Sequence, residues 1–427
     1  MPHPLPLTQG SQHYDFVRRS VLPGGVRVLT ESIPGMRSAT FGAWVGVGSR
    51  DEAPQHGGST HFLEHLLFKG TARRSALDIA EAFDRVGGEA NALTGKEHTC
   101  YYARVIDTDL PMAIDVILDM ITSARLDNDD FELERGVILE EIAMNEDDPG
   151  DVAQERLTES LYLGHPLGRP IGGTPPIIEA VTRDAVWEHY RQHYVPEGLI
   201  ITAAGGVDHD EVCALVTDAL VAGGWHLAGD VAPLPRRDPF APFGAGFREE
   251  VNVSRPDLEQ TQLMVGVRGL RATDERRSAL GVYSAILGGG MSSRLFQEIR
   301  EKRGLTYAVG SYGAPSTEIG MYGLYAACSP SKAAEVERLM IAEFERMAEG
   351  VTDSELERAK GQIAGSTVLR LEDSYSRMSR LGKAELVFGE LWSITEVLDE
   401  VHAVTAQDVV ALAEDLAGRE RSIVRVG

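Results

Sequence analysis

The chain has 427 residues, which is too long for one ordinary hydrophobic core and predicts two or three domains. Its composition, 43% hydrophobic and 25% charged, is typical of a globular protein, and its net charge of −24 argues against binding nucleic acid or an anionic membrane. Residues 1–20 contain no apolar signal core, and no apolar run reaches the roughly 18 residues of a membrane span, so we expect a cytoplasmic protein.

The first element with chemical content is a predicted helix after two glycines, where Ser59 or Thr60 can serve as the cap. His61 and His65 are four residues apart, so their side chains are neighbours on a helix and can converge on one cation. Glu64 points to nearly the same side and can reach a water molecule on that cation without being a ligand. A catalytic zinc typically has three protein ligands and a water. The motif therefore predicts metal-assisted hydrolysis, although a surface helix without metal would also explain it.

A second predicted helix, over residues 128–148, is rich in acids and can supply the third ligand. Glu134 and Glu141 are two helical turns apart and share a face, whereas Glu140 is rotated by roughly 100° from Glu141. We therefore predict Glu141 as the ligand and Glu134 as the carboxylate that orients a histidine. The alternative is a solvated acidic helix.

The chain repeats one order of elements on either side of 221–250, a segment rich in proline and glycine that we predict to be a linker. The clearest match is the sequence Glu-Leu-Glu-Arg, which occurs at 132–135 and again at 355–358. The predicted strands are 39–47, 100–105, 262–267 and 322–327, and the predicted long helices are 111–124 and 333–347.

This repeat predicts an N-terminal α+β domain over 1–220 and a homologous C-terminal α+β domain over 251–427. The alignment of the halves pairs His61 with about Gly281, His65 with about Ala285, and Glu141 with Ala364. Only the first domain then keeps metal-binding residues.

Four sequence blocks, taken together, resemble the pitrilysin and insulysin family of inverted zincins, most closely its short processing-peptidase branch. They are HFLEHLLFKGT at 61–71, NALTGKEHTCYYARV at 91–105, ERGVILEEI at 134–142 and SRLFQEIREKRGLTYAV at 293–309. The resemblance covers nearly the whole chain. It implies two homologous α+β domains, each a mainly antiparallel sheet with helices packed on one side, facing each other as a clamshell.

The resemblance also implies one Zn²⁺ per chain. Its ligands would be His61, His65 and Glu141, with Glu64 as the general base and Glu134 as the supporting acid. This assignment agrees with the helical spacing.

The substrate side of the site follows from the same resemblance. Asn91 and Ala92 would lie on the edge strand that pairs with the substrate backbone. Arg300 and Tyr307 fall where the second domain reaches the scissile carbonyl and can hold its oxygen as it becomes an oxyanion, with Phe296 packing against substrate. Without the resemblance, Arg300 and Tyr307 would be read as a helix-surface arginine and a core tyrosine.

Asp151 and Glu155 resemble acidic residues that processing peptidases use to hold an arginine near the cleavage site. A solvated acidic turn explains them equally well, because three further acids precede them at 146–148.

The sequence thus predicts a zinc-dependent endopeptidase that cleaves short or unfolded peptides in a chamber between two domains. Processing of N-terminal extensions fits the same motifs. A homodimer is the simplest assembly, because one chain carries both the zinc site and the second-domain pair. The alternative is a non-catalytic core or scaffold subunit of the same family.

Overall fold

The computed structural model describes residues 5–6, 12–14 and 16–427. The expectation of a chain without a signal core rests on residues 1–20, half of which lie outside the described residues. Within the described part, no helix is both long enough and apolar enough to cross a membrane.

The first half of the chain contains eight strands and eight α-helices among the described residues. The strands are β1 (Leu5–Pro6), β2 (Gln12–Tyr14), β3 (Val17–Val21), β4 (Arg27–Ser32), β5 (Ser38–Val45), β6 (Glu89–Thr94), β7 (Thr99–Ile106) and β8 (Leu199–Gly205). The helices are α1 (Ser59–Leu67), α2 (Ala76–Asp84), α3 (Leu110–Ser123), α4 (Asn128–Asp147), α5 (Pro149–Leu161), α6 (Pro175–Ala180), α7 (Arg183–His193) and α8 (His209–Ala222).

The second half follows a similar order. The strands are β9 (Glu250–Val253), β10 (Thr261–Arg268), β11 (Thr306–Ala314), β12 (Met321–Cys328), β13 (Glu390–Leu391) and β14 (Arg421–Val426). The helices are α9 (Arg277–Gly288), α10 (Ala333–Arg346), α11 (Asp353–Arg370), α12 (Ser374–Lys383), α13 (Ile394–Ala403) and α14 (Ala406–Ala417). The predicted strands and long helices all lie within one or two residues of these bounds.

The strands form two large sheets, one in each half. The first sheet has the order β2-β3-β4-β8-β5-β7-β6 and the second the order β11-β12-β10-β14-β9. All neighbours are antiparallel except β4 with β8 and β14 with β9. The fold class predicted from sequence is confirmed, and β6 lies at the outer edge of the first sheet.

One face of each sheet carries the helices of its own half. In the first half, Phe41 and Tyr101 of the sheet, Leu63 and Leu66 of α1, and Ile117 of α3 are fully buried in one core. Apolar residues recur in α3 every three or four positions, which is why this helix buries one face against the sheet. The second half has a separate core of the same type.

The opposite face of each sheet is covered by a helix from the other half. Helix α12 packs Met378 and Leu381 against Trp44 on the first sheet. Helix α5 in turn packs Leu157 against the second sheet, beside Met264. Helices α5 and α12 occupy equivalent places in the repeat, so the two halves exchange one helix each.

Buried ion pairs reinforce this exchange. Glu385, which follows α12 and is 1% exposed, accepts from Arg19 Nε at 2.9 Å and from Arg236 Nη2 at 3.2 Å. Arg377 of α12 donates to Glu31 of β4 at 2.6 Å. Removing one partner of such a pair typically costs 3–5 kcal/mol, because a buried charge is left without a partner.

The predicted linker contains little regular structure. Residues 223–249, all of them described, hold no helix and no strand apart from a single bridge at Gly246. The domain boundaries at 220 and 251 remain predictions.

The exchange predicts an asymmetry between two glycine-to-alanine variants. A Cβ at Gly382 of α12 would overlap the ring of Trp44, whereas a Cβ at Gly365 of α11 meets nothing within 4 Å. We expect Gly382→Ala to lower the free energy of unfolding by about 1–3 kcal/mol, as overpacking does, and Gly365→Ala to leave it unchanged or raise it by up to about 1 kcal/mol. Urea unfolding followed by circular dichroism measures both. Equal urea midpoints for Gly382→Ala and Gly365→Ala would contradict the packing of α12 against Trp44.

Candidate metal centre

Helix α1 begins at a tight turn that only glycine fits well. Gly58 has φ +93°, and a Cβ there would lie 2.6 Å from Ile178 and 2.8 Å from the Gly172 carbonyl oxygen. The carboxylate of Glu52 accepts from the N–H groups of Gly58 and Thr60, each at 2.7 Å, and so satisfies the first turn. The predicted cap at Ser59 or Thr60 is therefore wrong. Burial raises the pKa of Glu52 to about 7, although these two hydrogen bonds favour its charged form.

The three predicted ligands converge on one point. His65 Nε2 lies 3.3 Å from His61 Nε2 and 3.5 Å from Glu141 Oε2, and His61 Nε2 lies 3.7 Å from the same carboxylate oxygen. Tetrahedral zinc with ligands at about 2.0–2.2 Å separates its ligand atoms by roughly 3.3–3.6 Å. The donor set and its spacing therefore fit one zinc ion.

The protonation state of His61 also suits metal binding. Burial, with a further contribution from His65, lowers the pKa of His61 to about 4, so this imidazole is neutral at pH 7. Metal ligation by histidine requires that neutral form.

Glu134 is hydrogen-bonded to Nδ1 of His65, the ring nitrogen that lies away from the other predicted ligands. Its carboxylate is 2% exposed, and Oε2 accepts from His65 Nδ1 at 2.8 Å while Oε1 lies 2.5 Å from Lys69 Nζ. This hydrogen bond leaves His65 Nε2 without a proton and aimed at the metal position. Within the described part, His61 Nδ1 has no comparable partner.

Glu64 lies beside the ligands and is fixed by the end of β6. The hydroxyl of Thr94 donates to Glu64 Oε2, which ties the metal-bearing helix to the edge strand. Glu64, His61 and Glu141 all line one cavity of about 600 Å³.

The same cavity contains three of the predicted substrate-binding residues. Ala92, Asp151 and Glu155 line it, and burial raises the pKa of Glu155. Asn91 is exposed on the edge strand, where its Oδ1 accepts from Ala92 N at 2.8 Å. Among the strands that the structure describes, β6 pairs with β7 alone, so the predicted edge strand is present.

Two basic residues of this cavity were missed in the sequence. Lys96, in the β6–β7 turn, donates to the carbonyl oxygen of Arg169, and burial lowers the pKa of its ammonium to about 8. Arg169 in turn donates to the carbonyl oxygen of Glu52 at 2.8 Å. Lys96 lies in the block at 91–105, so its closeness to the edge strand was a usable signal. Arg169 lies far from every motif, and no local pattern identifies it.

Arg300, Tyr307 and Phe296 form a cluster of their own. Arg300 Nη1 donates to the Tyr307 carbonyl oxygen at 2.9 Å, and its guanidinium lies 4.6 Å from the Phe296 ring centre and 4.4 Å from that of Tyr307. None of the three is among the described residues that line the metal cavity. Tyr307 is 78% exposed, so it is not a core tyrosine. The predicted roles of these residues remain predictions.

Comparison with known proteins identifies the family. The family model described as insulinase, peptidase family M16, matches residues 27–175, and that of the peptidase M16 inactive domain matches residues 180–363. A Streptomyces coelicolor protein named an uncharacterized zinc protease is 49% identical over 99% of this chain and 92% of its own length. This chain belongs to the M16 peptidase family.

Other M16 relatives and solved structures agree. An uncharacterized zinc protease of Bacillus subtilis is 36% identical over 94% of this chain and 96% of its own. A protease from Helicobacter pylori has the same fold, with a TM-score of 0.86 at 20% identity over 96% of this chain and 98% of its own. A chain of complex III from Candida albicans has a TM-score of 0.82 at 21% identity, over 96% and 95% of the two chains.

The geometry predicts which acid of α4 carries the metal. We expect Glu141→Gln to abolish stoichiometric zinc, because an amide is a poor replacement for the anionic ligand. Glu140→Gln is the matched control, since Glu140 is exposed on the same helix and outside the ligand group. Metal content of both purified variants, measured by mass spectrometry, tests the assignment. Equal zinc in the two variants would overturn it.

Proposed function

We propose that this M16 chain is a zinc-dependent endopeptidase that hydrolyses peptide bonds in short or unfolded peptides. The observation that carries the proposal is the convergence of His61, His65 and Glu141 at zinc-ligand spacing, with Glu64 beside them. Glu134 adds the hydrogen bond that orients a ligand histidine. These five residues would together hold one Zn²⁺ and provide the base.

The chemistry divides between the ion and the protein. Bound zinc supplies Lewis-acid polarisation of a carbonyl and lowers the pKa of a water to about 7. Glu64 accepts the proton of the attacking water and later returns it to the leaving amine nitrogen. Thr94 holds one oxygen of that carboxylate, so the other remains available for proton transfer.

The substrate is proposed to bind as an added strand. The free edge of β6 offers main-chain groups next to the metal cavity, and only an extended segment can pair with it. A folded protein cannot present such a segment, which favours short or unfolded peptides. Asp151 and Glu155 give the cavity acidic groups that would attract a basic side chain, and Lys96 lines the same cavity.

The homodimer is the second part of the proposal. Arg300 and Tyr307 are exposed or near the surface and lie outside the lining of the metal cavity of their own chain. A second copy would bring its own pair to that cavity, so that each site uses residues of two chains.

A scaffold subunit is the rival function. One structural neighbour is a chain of complex III, and the model that matches the second half is named for an inactive domain. The complete ligand set in the first half favours the peptidase, because a scaffold has no need to keep two histidines and three acids in this geometry.

Glu64→Gln tests the mechanism directly. We expect the variant to retain zinc and to lose hydrolysis of a quenched fluorescent peptide by at least about 10²-fold, as removal of a general base does. Glu140→Gln should keep both zinc and activity. Full activity in Glu64→Gln would rule out the proposed base.

Complementation tests the shared site. Glu64→Gln and Arg300→Ala homodimers should each be nearly inactive. Mixing them under conditions of subunit exchange should restore about a quarter of wild-type activity, because half of the dimers then carry one intact site of two. Sedimentation establishes the dimer independently. Exchanged mixed dimers without any recovery would show that both residues act within one chain.

A further inference from the structure

The edge strand β6 separates two cavities because its side chains alternate between the faces of the sheet. Ala92 is paired with Tyr101 and packs into the core that contains α1, on the metal side. Leu93 is paired with Cys100, which packs with Trp44 in the core that contains α12. Directly opposite residues of an antiparallel pair share a face, so Leu93 points away from the metal side.

A large cavity lies on that second face. It has a volume of about 670 Å³, and its walls come from both halves of the chain. We call it the apolar basin, defined by its apolar lining of Trp44, Leu93, Ile363, Leu371, Tyr375, Phe388, Leu391, Trp392, Ile394, Val397 and Val401. Aromatic walls of this kind suit a large apolar side chain.

The basin and the metal cavity both reach the edge strand at Leu93. Leu93 lines both cavities and is 49% exposed. A peptide added to β6 has the same two-residue period as β6 itself, so its successive side chains point alternately to the two faces. Strand addition at the metal cavity therefore places every second substrate side chain on the basin side.

The charged residues that line the basin are mixed, with an excess of cations: Arg277, Arg370, Arg380 and Lys383 against Glu390 and Glu400. Lys383 and Arg370 are exposed there, and neither has an acidic side chain within ion-pair distance in the part of the chain that the structure describes. Two other lining arginines are already paired, Arg277 with Glu400 at 3.2 Å and Arg380 with Glu31 at 3.2 Å. The unpaired cations favour an acidic group on the occupant.

We propose that the apolar basin is a substrate subsite that receives alternate side chains of the peptide paired on β6. It selects a bulky apolar side chain immediately next in sequence to the residue that faces the metal cavity. It also favours an acidic residue two positions further along, on the same face, where Lys383 and Arg370 lie. This inference rests on the proposed peptidase function and adds the basis of its selectivity.

A positional scan tests the subsite. In a series of quenched peptides of Ala, Ser and Gly, one Phe is moved through each position around the cut site. We expect kcat/KM to be high when Phe stands at every second position of the peptide, where its side chain points to the basin side. Phe388→Ala and Ile363→Ala, on different basin walls, should each lower kcat/KM at those positions by about tenfold or more, because loss of apolar contact in a pocket costs about 1–3 kcal/mol.

The control variant is Leu77→Ala, which removes an exposed apolar side chain on α2, outside the basin. Leu77→Ala should leave kcat/KM unchanged at every position of the scan. Both basin variants should likewise leave kcat/KM unchanged for the peptide that lacks Phe. Lys383→Gln should remove the preference for a peptide with Glu two positions from Phe over one with Lys there. An unchanged scan in both basin variants would overturn the inference.

A binding experiment separates this inference from the proposed function. Zinc-loaded Glu64→Gln is titrated with fluorescent Phe and Ala peptides, with and without Phe388→Ala. Tighter binding of the Phe peptide that depends on Phe388 supports the subsite even if the wild type cleaves no peptide. Equal affinity for both peptides overturns it. If Phe388→Ala changes the sedimentation of the protein but not its selection between the two peptides, the inference is also overturned, because the basin is then a contact between copies of the chain.

Discussion

The exchange of one helix between the two halves is the constraint on which the rest of the molecule depends. Each sheet has an apolar second face that its own half leaves uncovered, and burial of that face requires α5 or α12 from the other half. The halves therefore cannot separate without exposing two hydrophobic surfaces. Buried ion pairs such as Glu31 with Arg377 add a further cost to separation.

The exchanged helices also build the cavities. Helix α5 packs Leu157 on the second sheet and presents Glu155 to the metal cavity. Helix α12 packs Met378 on the first sheet and presents Tyr375 to the apolar basin. The edge strand β6 therefore meets a cavity lined by α5 and a second cavity lined by α12.

Within the candidate metal centre, rigidity is supplied by partners outside the three predicted ligands. Glu134 fixes the ring of His65, and Glu52 satisfies the first turn of the ligand helix. Thr94 fixes the carboxylate of Glu64 from the edge strand. Each contact joins a different part of the chain to α1, so Glu64, the two histidines and the edge strand are held in one arrangement.

Local periodicity in the sequence predicted the strands and long helices, and helical spacing predicted which side chains would converge. His61 and His65 share a helical face because of their four-residue separation, and Glu141 was distinguished from Glu140 by rotation about a helix axis. The exchange of α5 and α12, the cap from Glu52 and the position of Arg300 outside the metal cavity became visible only in the folded structure. The helix exchange and the position of Arg300 depend on contacts between residues far apart in the chain, and the cap from Glu52 depends on the irregular turn between Glu52 and Gly58. Neither kind of feature leaves a periodic signal in the sequence.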